Sequence, residues 1–205
     1  MRPGPPPRPS AAHRSGDPNE ALRRLKEGNH RFAQDKPLRP TTSAEKRQAL
    51  SIGQEPIAHV FTCSDSRVGP EIIFDQGLGD LFVTRVAGNV YGEVVLGTLE
   101  FSVEVLDIPL LLVLGHSGCA AVLATVRKQQ IPGQSSYIQN LIQPAVDRAA
   151  GMPGDLETNA IRENVLLRCE SLRTSQPVLE PRLRQGRLEI VGGIYDLVAG
   201  TVEWL

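Results

Sequence analysis

Apolar positions fall into two patterns along this chain. The short runs "IAHVF" (57–61), "LFVTRV" (81–86) and "LLLVLG" (110–115) are rich in β-branched residues and suit strands buried on both faces. Between and after them apolar residues recur at helical spacing, in "GEVVLGTLEFSVEVL" (92–106), "GCAAVLATVRKQQ" (118–130), 136–149 and 158–174, the last two separated by "GMPGD". Strand, helix, strand, helix predicts an α/β fold: a central, mostly parallel sheet with right-handed crossovers and helices on its faces. Near the end, "RLEIVGGIYD" (187–196) and "TVEWL" (201–205) read as two further strands. Their link, "LVAG", is short enough for a hairpin, which makes the last strand an antiparallel edge.

The N-terminal part is patterned differently. Residues 1–16 are rich in Pro, Gly, Arg and Ser and bury too little apolar area to offset their ordering entropy, so they read as a disordered tail ahead of one domain, 17–205. Asp17 is the expected N-cap of a first helix, with Pro18 at its first position and Glu20 completing a capping box. Leu22, Leu25 and Phe32 give that helix a sparse apolar stripe, with Gly28 as a candidate interruption. A stripe of this kind suits docking, and a partner subunit is a candidate surface. A second short helix is expected from Thr42, with Glu45 three residues on, ending before "IGQEP".

Composition narrows the function classes. The chain has 205 residues, 40% hydrophobic and 22% charged, which fits one soluble domain with a buried core. A net charge of −1 and an aromatic content of 4% give no basic field or stacking platform for nucleic acid, and no electrostatic pull towards an anionic membrane. No apolar run reaches the roughly 18 residues that span a bilayer. The first residues lack the apolar segment of a secretory signal, so a cytoplasmic location is expected. Three cysteines, Cys63, Cys119 and Cys169, make a poor disulfide framework and point towards metal binding or catalysis.

Two of those cysteines sit in chemically dense stretches. "FTCSDSRVGPE" carries Cys63, Asp65 and Arg67 just after the first predicted strand, and "LLLVLGHSGCAAV" carries His116 and Cys119 just after the third. In open α/β sheets, ligands bind outside the carboxyl ends of the strands, at a topological switch point. If the two strands are neighbours, two thiols, an imidazole and a carboxylate converge, a set that suits Zn²⁺ and disfavours magnesium or calcium. Each residue alone has a structural reading: Cys63 as a small buried hydrophobe, His116 as a turn residue, Asp65 as a helix cap, Arg67 as a surface charge. Their equivalent placement at two strand ends favours the metal. A cysteine-phosphatase loop fails, because Gly69 stands where its arginine belongs, and "GLG" (77–79) lacks the strand and helix of a nucleotide fingerprint. His30 and His59 are the remaining candidates for proton transfer; His59, inside a buried strand, reads as structural.

"CSDSR" together with "GHSGC" resembles the β-class carbonic anhydrases, and the similarity extends from "ALRRLKEGNHRF" through "FVTRVAGNV" to "LEIVGGIYD". The resemblance implies that Cys63, His116 and Cys119 hold Zn²⁺ and that Asp65 and Arg67 form a catalytic dyad. Asp65 would either coordinate zinc as a fourth ligand or turn to Arg67 and free a position for water. Gln54, nine residues before Cys63, matches a glutamine that orients substrate, and Phe82 falls where many members place an apolar wall. The chain departs from some members at Phe101, where they carry Tyr, and at Val86, where they carry Asn. The implied activity is reversible hydration of carbon dioxide to bicarbonate and a proton, by zinc-bound hydroxide that the dyad orients, in a homodimer or homotetramer. Two thiolates neutralise the metal's charge and predict an alkaline-shifted profile. The same framework in relatives hydrolyses carbon disulfide or carbonyl sulfide. The reading from another class is a zinc scaffold without catalysis, closed by Asp65 as fourth ligand; Arg67, placed to draw Asp65 away, favours the enzyme.

Overall fold

A computed structural model describes residues 16–38, 40 and 42–205. Apart from Gly16, the tail expected at 1–16 lies outside the described residues. Five strands form one sheet in the order β2-β1-β3-β4-β5: β1 (Ala58–Thr62), β2 (Leu81–Arg85), β3 (Leu110–His116), β4 (Glu189–Tyr195) and β5 (Val202–Trp204). The first four run parallel; β5 pairs antiparallel with β4 at the edge. The expected hairpin link holds it there: the Asp196 carboxylate accepts the backbone N–H groups of Val198 and Ala199, and the Asp196 N–H reaches the Thr201 carbonyl.

The order places β2 on one side of β1 and β3 on the other, so the chain reverses direction across the sheet between β1 and β3. That is the switch point, and it opens at the carboxyl ends of those two strands. Every residue of β3 is buried, as its unbroken apolar run predicts. One sheet face packs Val60, Leu110, Leu112 and Leu114 against α1 (Pro18–Ala33) and the short α3 (Pro70–Ile73). The other packs Phe61, Leu111 and Val113 against α4 (Glu93–Glu104), α7 (Leu156–Arg173) and α8 (Leu179–Arg184). A third cluster joins α5 (Ala120–Val126) and α6 (Ser135–Ala149) around the two cysteines.

Several boundaries differ from expectation for identifiable reasons. Asp17 caps α1 by accepting the Asn19 N–H, but Glu20 completes no capping box; it turns to Arg23 instead, at 2.8 and 2.6 Å. Gly28 does not interrupt α1. The second helix, α2 (Ala44–Leu50), starts two residues later than expected, because Ser43 rather than Thr42 caps it through the Lys46 N–H. α5 stops at Val126 rather than running to 130, since Lys128 turns left-handed (φ 53°) and the Gln129 N–H closes back on the Ala124 carbonyl. From their sequence, the N-terminal helices are expected to pack on a partner subunit. The stripe of α1 has a home in its own chain: Ala21 and Leu25 are buried in the first core, and Leu22 and Phe32 pack against it. α2 buries no residue.

Candidate metal centre

Register decides the site. Thr62 pairs with Leu114 across β1 and β3, so Cys63, the next residue, emerges beside the last turn of β3 that carries His116. "SG" then turns the chain, with Gly118 left-handed (φ 63°), and Cys119 arrives as the N-cap of α5. The ligand atoms of Cys63, His116 and Cys119 all lie within 4.8 Å of one another, and all three residues are buried. The two sulfurs stand 4.0 Å apart and are free thiols, too distant for a disulfide.

Three observations fit a metal here. Two sulfurs about 2.3 Å from one tetrahedral zinc would stand roughly 3.8 Å apart, close to the spacing found. The His116 Nδ1 lies 3.0 Å from the Ser117 carbonyl, which can only accept; Nδ1 therefore carries the proton, and Nε2 is left with a bare lone pair. That Nε2 is buried with no hydrogen-bond partner among the described residues. A buried, unpartnered acceptor is costly unless something fills it, and a soft cation does so.

The sulfur chemistry points the same way. Hydrogen bonding from Cys119, aided by the nearby His116 imidazole and the Gly88 amide, pushes the Cys63 thiol down against the opposing effect of burial. Cys119 is pushed up: its proton is shared with Cys63, and burial and the Cys63 charge both oppose a second thiolate. A cation between the two sulfurs removes that opposition.

Asp65 stands at the rim. Arg67 grips it with Nε on Oδ1 at 2.9 Å, Nη2 on Oδ2 at 2.7 Å and its backbone N–H on Oδ1 at 3.0 Å. These bonds hold the Asp65 carboxyl well below the usual carboxylate range. Its Oδ2 lies 3.9 Å from the His116 Nε2. Asp65 is 14% exposed and Arg67 57%, so the carboxylate, not the guanidinium, faces inward.

The remaining expected residues are farther out. Gln54 lies in the exposed loop ahead of β1. Phe82 is half-buried on β2, edge-on to the His59 ring at 5.0 Å. Neither makes a hydrogen bond or ring contact with Cys63, His116 or Cys119 among the described residues. His59 is structural, as its strand position suggests: it is fully buried between the Ser102 hydroxyl at 2.7 Å and the Thr84 hydroxyl at 2.9 Å. Two supports went unread in the sequence. Arg85, at the carboxyl end of β2, donates to the carbonyls of Cys63 (3.1 Å) and Asp65 (2.5 Å) and so ties down the loop between them. Ser117 fixes the imidazole through its carbonyl, while its own hydroxyl accepts the Leu197 N–H. An arginine ending a parallel strand was a visible signal for the first; nothing in "GHSGC" marks the second.

A mostly parallel sheet with a Cys-His-Cys cluster at its switch point defines an α/β protein whose donor set could hold a soft metal. The carbonic anhydrase family model matches residues 58–202. "Carbonic anhydrase 2" of Mycobacterium tuberculosis is 40% identical over 194 residues, covering 90% of this chain and 91% of that protein. A carbonic anhydrase of Mycolicibacterium smegmatis is 39% identical over 199 residues, covering 92% and 94%. Among solved structures, the β-carbonic anhydrase CcaA superposes with a TM-score of 0.71 at 28% identity, over 89% of this chain and 94% of that one. The Coccomyxa β-carbonic anhydrase bound to acetazolamide gives 0.70 at 25% identity, over 90% and 86%. The chain belongs to the β-carbonic anhydrase family.

Proposed function

We propose that this protein catalyses the reversible hydration of carbon dioxide to bicarbonate and a proton, with Zn²⁺ held by Cys63, His116 and Cys119 and with Asp65 and Arg67 as the working dyad. One observation carries the reading. The carboxylate beside the ligand cluster is engaged by Arg67, which leaves the cluster with three protein ligands, the number found in catalytic rather than structural zinc sites. When bound, zinc supplies Lewis acidity that brings the ionisation of a water molecule towards neutral pH.

The chain's own residues do the rest. Ionised and gripped by Arg67, Asp65 can only accept hydrogen bonds. Its Oδ2, the oxygen nearest the cluster, accepts from the water that enters there and turns that water's lone pair towards the carbon of carbon dioxide. Val90, Val122 and Ile142 form an apolar wall around the cysteines that suits a small apolar substrate. The proton released leaves through solvent at the Asp65 rim. Asp65 as a fourth ligand would be a closed state of this same site, or the fixed state of a non-catalytic scaffold; the Arg67 grip supports the open state. Gln54 and Phe82 are assigned to the substrate side of the pocket, where the resemblance puts them.

We further place the protein in the cytoplasm as a homodimer. No helix among the described residues is long and apolar enough to cross a membrane, and the free thiols suit a reducing compartment. β2 is an edge strand with β1 as its neighbour, α4 packs on it, and α4 exposes Val94 and Phe101, with its C-cap Val105 exposed beyond them. An unpaired edge beside an apolar helix face suits a second copy of the chain; light scattering gives the mass that tests it.

Stopped-flow hydration of carbon dioxide across pH, with zinc content on the same preparation, tests the activity. Arg67→Ala should retain zinc and lose at least about 100-fold in rate. Full activity in that variant removes the dyad; release of sulfide from carbonyl sulfide or carbon disulfide at a higher rate than carbon dioxide hydration redirects the substrate.

A further inference from the structure

A short turn, Ala87–Asn89, lies against the metal cluster and does two things at once. The Gly88 N–H points at the Cys63 sulfur, 3.3 Å away. The Gly88 carbonyl accepts the side-chain amide of Asn164, from the middle of α7, at 2.8 Å. Gly88 is left-handed (φ 68°), and a Cβ there would come within 2.8 Å of the Ile142 side chain and 3.2 Å of Ala121, so the turn is clamped on its other side too. Asn164 is 1% exposed, and its Oδ1 has no hydrogen-bond partner among the described residues. An apolar side chain of similar size would strand no oxygen of its own but would leave the Gly88 carbonyl without this donor. The amide group of Asn164 therefore makes one hydrogen bond in exchange for an unsatisfied oxygen, and that bond goes to the residue whose N–H touches a metal-binding sulfur.

We propose that Asn164 is a positioning residue for the metal centre: by anchoring the Gly88 carbonyl it fixes the turn that aims the Gly88 N–H at the Cys63 sulfur, and so sets how strongly that sulfur donates to the metal. The inference rests on the reading of Cys63, His116 and Cys119 as metal ligands. An N–H on a thiolate withdraws charge from it, leaving the metal more electrophilic; hydrogen bonds to ligating sulfurs tune metal sites in this way. Asn164 meets the sulfur only through Gly88, so its effect on the metal is exerted through that turn.

The test uses the full chain as wild type, Asn164→Ala, Asn164→Ser and, as a control, Cys169→Ala, which alters a buried residue of the same helix that faces Gly192 instead. Each is loaded with Co²⁺, the thiolate-to-cobalt absorption is recorded, and Zn²⁺ affinity is measured by chelator competition. Both Asn164 variants are expected to keep the wild-type circular dichroism, to lose about tenfold or more in Zn²⁺ affinity because the sulfur is no longer held in place by a fixed turn, and to move the absorption to longer wavelength because a sulfur without its N–H partner gives up charge more easily. Cys169→Ala should leave both readouts where they are. An unmoved band and affinity in a folded Asn164 variant overturn the proposal, and so does an equal change in Cys169→Ala, which would make the effect one of helix stability. The wild-type protein provides an arm that needs no variant. Loaded with an NMR-active cadmium isotope, its Gly88 amide proton should couple to the metal through the Cys63 sulfur, and absence of that coupling also overturns the proposal. If wild type shows no thiolate-to-cobalt band at all, the metal reading itself fails, which is a separate result.

Discussion

Replacing Gly28 by Ala sets two well-defined effects against each other. Gly28 is in the interior of α1, where alanine is intrinsically better by about 1 kcal/mol. Helix propensity alone predicts a more stable protein. The tertiary structure predicts the reverse: a Cβ at position 28 would lie 1.8 Å from the Phe74 carbonyl oxygen and 2.6 Å from its carbon. Both are backbone atoms at the end of α3, so no side chain can rotate aside. To reach even a tight contact, α1 must lift by about 1.2 Å from a close-packed surface.

That lift breaks what α1 does next to it. Asn29, buried, donates to the carbonyls of Gly200 (2.9 Å) and Ile73 (3.3 Å) and accepts the Val202 N–H (2.8 Å), stitching the helix to α3 and to β5. Leu25 is fully buried one turn earlier. Losing two of those hydrogen bonds in a buried setting, at about 1–2 kcal/mol each, and loosening the Leu25 contact costs roughly 4 kcal/mol. Against a gain of about 1 kcal/mol, the net is a loss of about 3 kcal/mol, or roughly 6–12 °C in Tm for a chain of this size. The assay is built in: the one tryptophan, Trp204, packs against Phe74 at 6.0 Å with Lys26 of α1 over its ring, so its emission reports this interface during urea unfolding. A Gly28→Ala protein with unchanged or higher Tm would refute the reasoning and return the position to propensity alone.

Other outcomes can be stated briefly. His59 is held near 3 by burial, below the roughly 6.5 of an unfolded histidine, so the unfolded chain takes up a proton that the folded one refuses. Its contribution to stability is therefore complete above about pH 6.5 and is lost as pH falls towards 3, at up to about 1.4 kcal/mol per unit; His59→Gln should flatten urea-derived stability between pH 6.5 and 4.5 relative to wild type, and parallel curves would contradict this. Chelation should lower Tm by several degrees, with recovery on adding Zn²⁺ but not Mg²⁺, as differential scanning fluorimetry would record. Cys119→Ser, which exchanges a soft donor for a hard one, should reduce Zn²⁺ affinity at least about 100-fold while leaving the circular dichroism intact; affinity equal to wild type would remove Cys119 from the ligand set.

The legible parts of this molecule were those written in side-chain type at fixed spacing. β3 declared itself because a strand covered on both faces needs an unbroken apolar run, and it has one from Leu110 to Leu114. The cluster of Cys63, His116 and Cys119 was readable because two chemically dense stretches sit at equivalent strand ends, a coincidence that each residue's separate structural reading leaves unexplained. The short helices α3 and α8 were not readable, since four and six residues carry too little period to distinguish them from turns. Gly28 was misread for a related reason. In sequence it resembles a helix break, whereas its cause is the carbonyl of Phe74, forty-odd residues away, which no local pattern can report.

The same distinction explains which supports of the metal site stayed hidden. Arg85 holds the Cys63–Asp65 loop by its carbonyls, Ser117 orients His116 by its carbonyl, and Asn164 reaches Cys63 only through the two sides of Gly88. In each case one partner is a backbone atom, which every residue possesses, so the partner's identity leaves no mark on the sequence. A substitution at Cys63 or His116 would be recognised at once as damage to the centre. A substitution at Asn164, a hundred residues downstream on a different helix, would be filed as a core change, although the geometry makes its amide the far end of a two-bond path to the same sulfur. Residues that act through main chain can therefore be as close to the chemistry as the ligands, and only the fold, by bringing α7 against the turn at Gly88, makes that proximity visible.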